Sequence, residues 1–162
     1  MSRIRIAVTG AAGGVGSTLV KTLGESGEYD VVAIVRNGLG ACTLGQVNAE
    51  IRVGSVSDPE ASRQLLAGCS AVINCALPKG WPRSPRKVND AILRNIANAA
   101  DVRAAVHFSS VAVYGQCVDP RLNSFERPRP TSEYGAEKLR SESICAQRPC
   151  TSMCQVLGTW IS

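Results

Sequence analysis

The stretch that most constrains this chain is Arg3 to Gly16, RIRIAVTGAAGGVG. Ile4, Ile6 and Val8 alternate with Arg3, Arg5 and Ala7, which predicts a short buried strand. It ends at Thr9, and Gly10, Gly13 and Gly16 follow at intervals of three. Ser17, Thr18, Leu19, Val20 and Leu23 then open a helical pattern. Strand, glycine turn and helix place a phosphate at a helix N-terminus, where the first amides lack intrahelical partners and the dipole is positive. Glycines let the turn form and let backbone approach a pyrophosphate with no Cβ in the way. The motif is G-x-x-G-x-x-G rather than G-x-G-x-x-G. Such turns also occur as plain loops; the flanking strand and helix are what point to a dinucleotide site.

At 162 residues the chain can form one domain with its own core. Aromatic residues make up 4%, so that core must rest on Val, Ile, Leu and Ala, which suits helices packed on a parallel sheet. The formal charge is +5, but the cations are scattered. Their densest cluster (Lys79, Arg83, Arg86, Lys87) is broken by prolines and has no aromatic ladder. This argues against a nucleic-acid partner and for a field that draws in an anionic cofactor or substrate. Seven cysteines without a C-x-x-C pair point to reduced cytoplasmic thiols rather than a disulfide framework. The single His107 sits in an apolar strand and reads as a packed core residue rather than a ligand; no metal set is visible. The apolar runs are strand-sized, so neither a membrane span nor a signal peptide is expected.

Taken in order, the first helix runs over residues 14–26 and stops at Gly27. Residues 29–35 form a continuous apolar second strand that ends at Arg36. In a dinucleotide fold an acidic residue here selects NAD by binding ribose hydroxyls, whereas an Arg accommodates a 2′-phosphate. Arg36 lies 20 residues after Gly16 with no acid beside it, which favours NADP over NAD; a solvated turn residue is the other reading. Residues 41–49 are weakly helical, 50–56 read as strand three, and Asp58 with Pro59 starts a helix that stops at Gly68. Strand four covers 71–76, and a stiff loop follows over 78–85, where Trp81 either contacts substrate or packs on the loop. Residues 89–100 form an amphipathic helix and 104–110 strand five. A long polar loop spans 116–130, and a helix begins near Thr131–Ser132. Strands alternating with helices predict an α/β fold, a doubly wound parallel sheet of Rossmann type with right-handed crossovers.

Tyr134 and Lys138 are four apart and share a helix face. A phenol is nearly all protonated at neutral pH, and a nearby ammonium favours the phenolate. Ser110, at the end of strand five, can hydrogen-bond a substrate oxygen. Beside a hydride carrier these residues suit oxidation of an alcohol to a carbonyl, or the reverse.

TGAAGGVG, then SSVAVYG over 109–115, then RPTSEYGAEK over 129–138 resemble the extended short-chain dehydrogenase/reductase family, in its NAD(P)-dependent epimerase/dehydratase branch. The likeness covers residues 3–144. It implies that Gly10, Ala12, Gly13, Val15 and Gly16 form the cofactor turn and that Ala76 lines the cofactor with strand-four backbone. It further implies Ser110 as the catalytic hydroxyl and Tyr134 as acid/base. Lys138 would ease the tyrosine's ionisation and, with Tyr134, hold the nicotinamide ribose. Asn89 falls where the family has an asparagine that braces the central strands. The resemblance implies a small-molecule substrate, such as a nucleotide sugar or another carbonyl compound, and a homodimer through the Tyr134 helix and the one before it.

The chain departs from the family in places. Ser55 stands where many members have an Asp that meets the adenine amine, which leaves the Val56 backbone for that contact. After Glu142 the family continues into a sixth strand and a substrate-binding region. Here the tail ICAQRPCTSMCQVLGTWIS holds three of the seven cysteines, and its changed composition predicts a truncated or frame-shifted product. The expected organisation is a dinucleotide-binding domain over 1–144 and a divergent tail over 145–162, with a poor sixth strand from Cys154 to Trp160 and no substrate region. Such a chain leaves Leu77, Trp81 and part of the sheet edge exposed, favouring aggregation or partner binding. A non-catalytic NADP-binding sensor and an inactive fragment are the alternatives to an enzyme.

Overall fold

A computed structural model describes residues 3–78, 86–115 and 127–147, and the backbone of 151–157. The stiff loop with Trp81, most of the 116–130 loop and the end of the tail lie outside the described residues. Strand β1 (Ile4–Thr9) leads through the glycine turn into α1 (Gly14–Ser26), then β2 (Tyr29–Val35) and α2 (Gly38–Leu44). Next come β3 (Glu50–Val53), α3 (Pro59–Leu66), β4 (Ala71–Asn74), α4 (Arg86–Asn98) and β5 (Ala104–Ser110). A 3-10 turn (Val111–Tyr114) follows, then α5 (Glu133–Ala146) and β6 (Thr151–Leu157). The six strands form one sheet in the order β3-β2-β1-β4-β5-β6, with every adjacent pair parallel. The doubly wound fold expected from the sequence is thus the fold observed.

β2 shows why the apolar run is continuous. Val31, Ala33 and Val35 pack with Val20 and Leu23 of α1, whereas Val32 and Ile34 pack on the other face with Leu65 and Leu66 of α3 and Ile92 and Ile96 of α4. A strand covered on both faces has no position left for a polar side chain.

Local chemistry fixes the helix starts. The Asp58 carboxylate accepts from the Ala61 amide at 2.7 Å, with Pro59 opening α3. The Asn37 side chain accepts from the Gly40 amide at 3.1 Å and starts α2. Ser132 accepts from the Gly135 amide at 3.0 Å and starts α5.

Several boundaries differ from the sequence expectation. Strand three ends at Val53, not Val56, because its partner β2 ends at Val35, the residue paired with Val53. Strand four ends at Asn74, not Ala76, because β1 ends at Thr9, paired with Asn74. The weak helix of 41–49 is α2, moved to 38–44 by the Asn37 cap. α4 occupies 86–98 rather than 89–100. The sixth strand starts at Thr151, three residues before Cys154, and pairs along β5 from Ala104 to Ser110. β5 is therefore an interior strand rather than an exposed edge. Leu77 is exposed, as expected.

Candidate functional site

Three glycines build the turn, each for a separate reason. Gly10 has φ +66°, and a Cβ there would lie 2.7 Å from the backbone of Cys75 and Ala76. Only glycine takes that conformation and that closeness together. A Cβ on Gly16 would lie 2.3 Å from the Gly10 carbonyl oxygen, so Gly16 lets α1 rest directly on the turn. Gly13 caps α1 without a side chain, its amide donating to the Gly10 carbonyl at 2.9 Å and its carbonyl accepting from Ser17 at 2.8 Å. The amides of the first helical turn are left for a ligand, and no acidic residue stands in that turn to compete.

The turn forms one wall of a cleft of about 880 Å³ at the C-terminal edge of β1, β2, β3 and β4. Gly10, Ala12, Gly13, Val15, Gly16, Arg36, Val56 and Ala76 all line it. Parallel sheets present their ligand crevice at this edge, where strand order turns outward on both sides of β1. Arg36 is exposed at the mouth, beyond the end of β2. Among the described residues lining the cleft it is the single cation, and none is an Asp or Glu. Cys75 also lines the cleft; burial pushes its thiol up to about 11, so it stays protonated and unreactive at neutral pH. The Val56 carbonyl accepts from Asn95 Nδ2 at 2.9 Å, which ties this edge of the cleft to α4.

Sequence reasoning missed Leu39, Gly40 and Thr43, which α2 contributes to the cleft. The Asn37 cap was the signal that could have found them. Val88 and Ile92 of α4 also line the cleft, while Ile92 belongs to the buried core as well; spacing on a helix does not separate those two fates.

Ser110, Tyr134 and Lys138 do not line the cleft. They gather beside it at the end of β5, the neighbour of β4. Lys138 is buried, and its Nζ donates to the Phe108 carbonyl at 2.8 Å, two residues before Ser110. The same Nζ lies 5.8 Å from the centre of the Tyr134 ring. Ser110 is buried and its Oγ accepts from the Ala112 amide at 3.2 Å, which starts the 3-10 turn. That turn meets α5 at Gly135, where a Cβ would lie 2.2 Å from the Ala112 carbonyl oxygen. Gly135 is thus what lets the Tyr134 end of α5 sit against the end of β5, a role not foreseen from its place in the motif.

Behind the site a buried polar chain crosses three strands. Thr9 Oγ1 and the Ala76 amide both donate to Asn74 Oδ1. Asn74 Nδ2 is left to face β5, where it donates to His107 Nδ1 at 3.1 Å. The imidazole is the acceptor, so its proton sits on Nε2. Burial, then the Lys138 charge, holds His107 down to about 4, and the ring is neutral. It is a buried structural histidine, as its apolar setting predicted. Asn89, expected to brace strands, instead joins helices: its Nδ2 donates to Ser141 Oγ at 2.9 Å, and Ser141 donates to the Glu137 carbonyl at 3.0 Å.

The sequence model of the NAD dependent epimerase/dehydratase family matches residues 6–151. An uncharacterized protein of Schizosaccharomyces pombe is 37% identical over 73 residues, 45% of this chain and 24% of its own. The Bordetella bronchiseptica enzyme WbmG, solved with NAD and UDP, superposes with a TM-score of 0.80 at 21% identity, over 94% of this chain and 52% of its own. UDP-glucuronic acid 4-epimerase from Bacillus cereus, solved with NAD, gives 0.75 at 23% identity, over 96% and 57%. A short-chain dehydrogenase/reductase superfamily protein from Agrobacterium tumefaciens, solved with bound NAD, gives 0.76 at 28% identity, over 95% and 48%. The chain therefore spans about half the length of these solved relatives. A glycine turn at the β1–β4 divide, with a Tyr-Lys helix face beside β5 and a family match over most of its length, has one reading: the chain belongs to the NAD dependent epimerase/dehydratase family.

Proposed function

We propose that this chain binds a nicotinamide dinucleotide in the glycine-walled cleft and contributes the acid/base group of an epimerase/dehydratase-like oxidoreductase. The observation that carries the reading is Lys138, buried against the Phe108 carbonyl and one helical turn from Tyr134, at the strand edge next to the cleft. The donor set fits the cofactor: open amides at the start of α1, a turn that Gly10 and Gly16 keep tight against backbone where any Cβ would collide, and a cation at the β2 end. When bound, the nicotinamide supplies the hydride acceptor or donor. Tyr134 takes the hydroxyl proton of an alcohol substrate, or returns it to a carbonyl. The positive charge of Lys138 stabilises the negative charge that forms on the tyrosine oxygen. Ser110 Oγ already accepts from Ala112, which leaves its hydroxyl proton free to donate to the substrate oxygen.

Arg36 supports NADP over NAD, because a planar guanidinium pairs with a 2′-phosphate in two-point fashion. The substrate class is a nucleotide sugar or another carbonyl compound, by likeness to the Bacillus cereus epimerase. The same reading takes residues 1–144 as the dinucleotide-binding domain and 145–162 as a tail, in a cytoplasmic homodimer. Among the described residues no helix is long and apolar enough to cross a membrane.

Calorimetric titration of the chain with NADPH and NADH tests the cofactor. The expected result is saturable binding, with NADPH at least about tenfold tighter and the preference lost in Arg36→Ser. Tighter NADH binding overturns the Arg36 assignment. Tyr134→Phe keeps cofactor binding and abolishes hydride transfer; activity that survives it removes Tyr134 from the mechanism.

A further inference from the structure

α5 carries Tyr134 and Lys138, yet apolar contact does little to hold it in place. Its buried residues are Gly135, Glu137, Lys138, Ser141 and Ile144, and only Ile144 is large and apolar. α4, by contrast, buries Ile92, Leu93 and Ile96. Apolar burial is also non-directional and leaves a helix free to roll, whereas a hydrogen bond selects its partner and its angle. Tyr134, Lys138 and Glu142 are spaced by four and lie along one stripe of α5, each about 6 Å further along its axis. Two of the three grip consecutive residues of β5. Lys138 Nζ donates to the Phe108 carbonyl at 2.8 Å, and the Glu142 carboxylate accepts from Ser109 Oγ. A single contact would let the helix pivot about it; two contacts one turn apart fix both its height on the strand and its rotation. Ser109 is buried, and its neighbour Ser110 bonds the Ala112 amide instead. The two serines thus divide the work, one tied to the helix and the other to the turn at the site.

We propose that Ser109 and Glu142 are positioning residues for Tyr134: their hydrogen bond, together with that of Lys138, sets the register of α5 on β5 and so the place of the phenol at the end of the strand. The inference rests on the acid/base reading of Tyr134 and adds what holds that residue in position. Glu142 acts here as a hydrogen-bond acceptor rather than as a charge, and a carboxamide oxygen in its place does the same. Neither residue lines the nucleotide cleft, so loss of the pair moves the tyrosine and leaves the cofactor site intact. A displacement of about 1 Å at a reacting group is enough to cost a rate about a hundredfold.

The test has two readouts. Tyr29, Tyr114 and Tyr134 are replaced by fluorotyrosine, and the fluorine resonance of Tyr134 is assigned with Tyr134→Phe. NADPH-dependent reduction of isatin, a small aromatic carbonyl probe, is followed in the unlabelled chain, well below the unfolding midpoint of each variant. Ser109→Ala and Glu142→Ala are expected to shift the Tyr134 resonance and to lower turnover at least about tenfold, with the NADPH dissociation constant held within about twofold. The double variant is no worse than either single one, because both remove the same bond. Glu142→Gln keeps the acceptor and is expected to return both readouts to those of the unaltered chain. If Ser109→Ala does not fold, the two Glu142 variants, at a half-buried position, carry the comparison. A Tyr134 resonance unmoved by Glu142→Ala, turnover that survives that change, or Glu142→Gln as damaging as Glu142→Ala overturns the inference and spares the acid/base reading. Absence of turnover in the unaltered chain overturns the acid/base reading, and the fluorine resonance then still decides whether the pair sets the place of the tyrosine.

Discussion

At Gly16 one methyl group decides whether the nucleotide turn can close. The 2.3 Å approach of an added Cβ to the Gly10 carbonyl cannot be relieved by a side-chain rotation, because both partners are backbone. Gly16→Ala should cost about 1–3 kcal/mol of stability and weaken NADPH binding at least about tenfold, read by urea unfolding and by titration. His107 sets a pH dependence. Its folded value of about 4 lies below the ordinary 6.5, so the unfolded chain takes up a proton first as pH falls. Stability is undiminished above pH 6.5 and is lost as pH drops towards 4. At pH 5 the loss from this one group is about 2 kcal/mol, and His107→Gln should flatten that slope in urea midpoints measured between pH 7 and pH 5. The glycines were readable from sequence because their spacing alone states a backbone requirement. The Asn74–His107 contact was not, because nothing local announces that residues of two strands stand opposite each other; only the sheet register does.

The elements were readable where pattern and packing agree. The two-faced burial of β2 and the capped starts of α3 and α5 follow from composition and one residue each. Strand ends were not, because the alternation over 50–56 and 71–76 runs on past the point where the partner strand stops. The start of α2 was legible in Asn37 and was passed over. Between helices, Asn89 and Ser141 form a buried link from α4 to α5, so the position of the Tyr134 helix depends on α4 as well as on β5. Asn89→Ala should lower stability by about 1 kcal/mol, visible as a shifted urea midpoint. It should leave NADPH affinity within about twofold, since Asn89 lies outside the cleft lining.

Across the whole molecule, the sheet separates two apolar layers, one under α1 and α2 and the other under α3 and α4. Both meet at the glycine turn, which leaves β1 and rests on the end of β4. β1 lies between β2 and β4, and the two seams differ in what they ask of the chain. β2 follows after one helix, whereas Thr9 reaches Asn74 across 65 residues. Joining distant segments is slow, because chain entropy is lost before the contacts form. The β1–β4 seam is thus expected to form late in folding, and the nucleotide turn stands on it. A chain with most of its helices in place still lacks the cradle. Refolding followed by NADPH fluorescence should therefore lag behind refolding followed by far-ultraviolet circular dichroism, and the order of events, rather than the native contacts alone, would keep half-made molecules from sequestering cofactor.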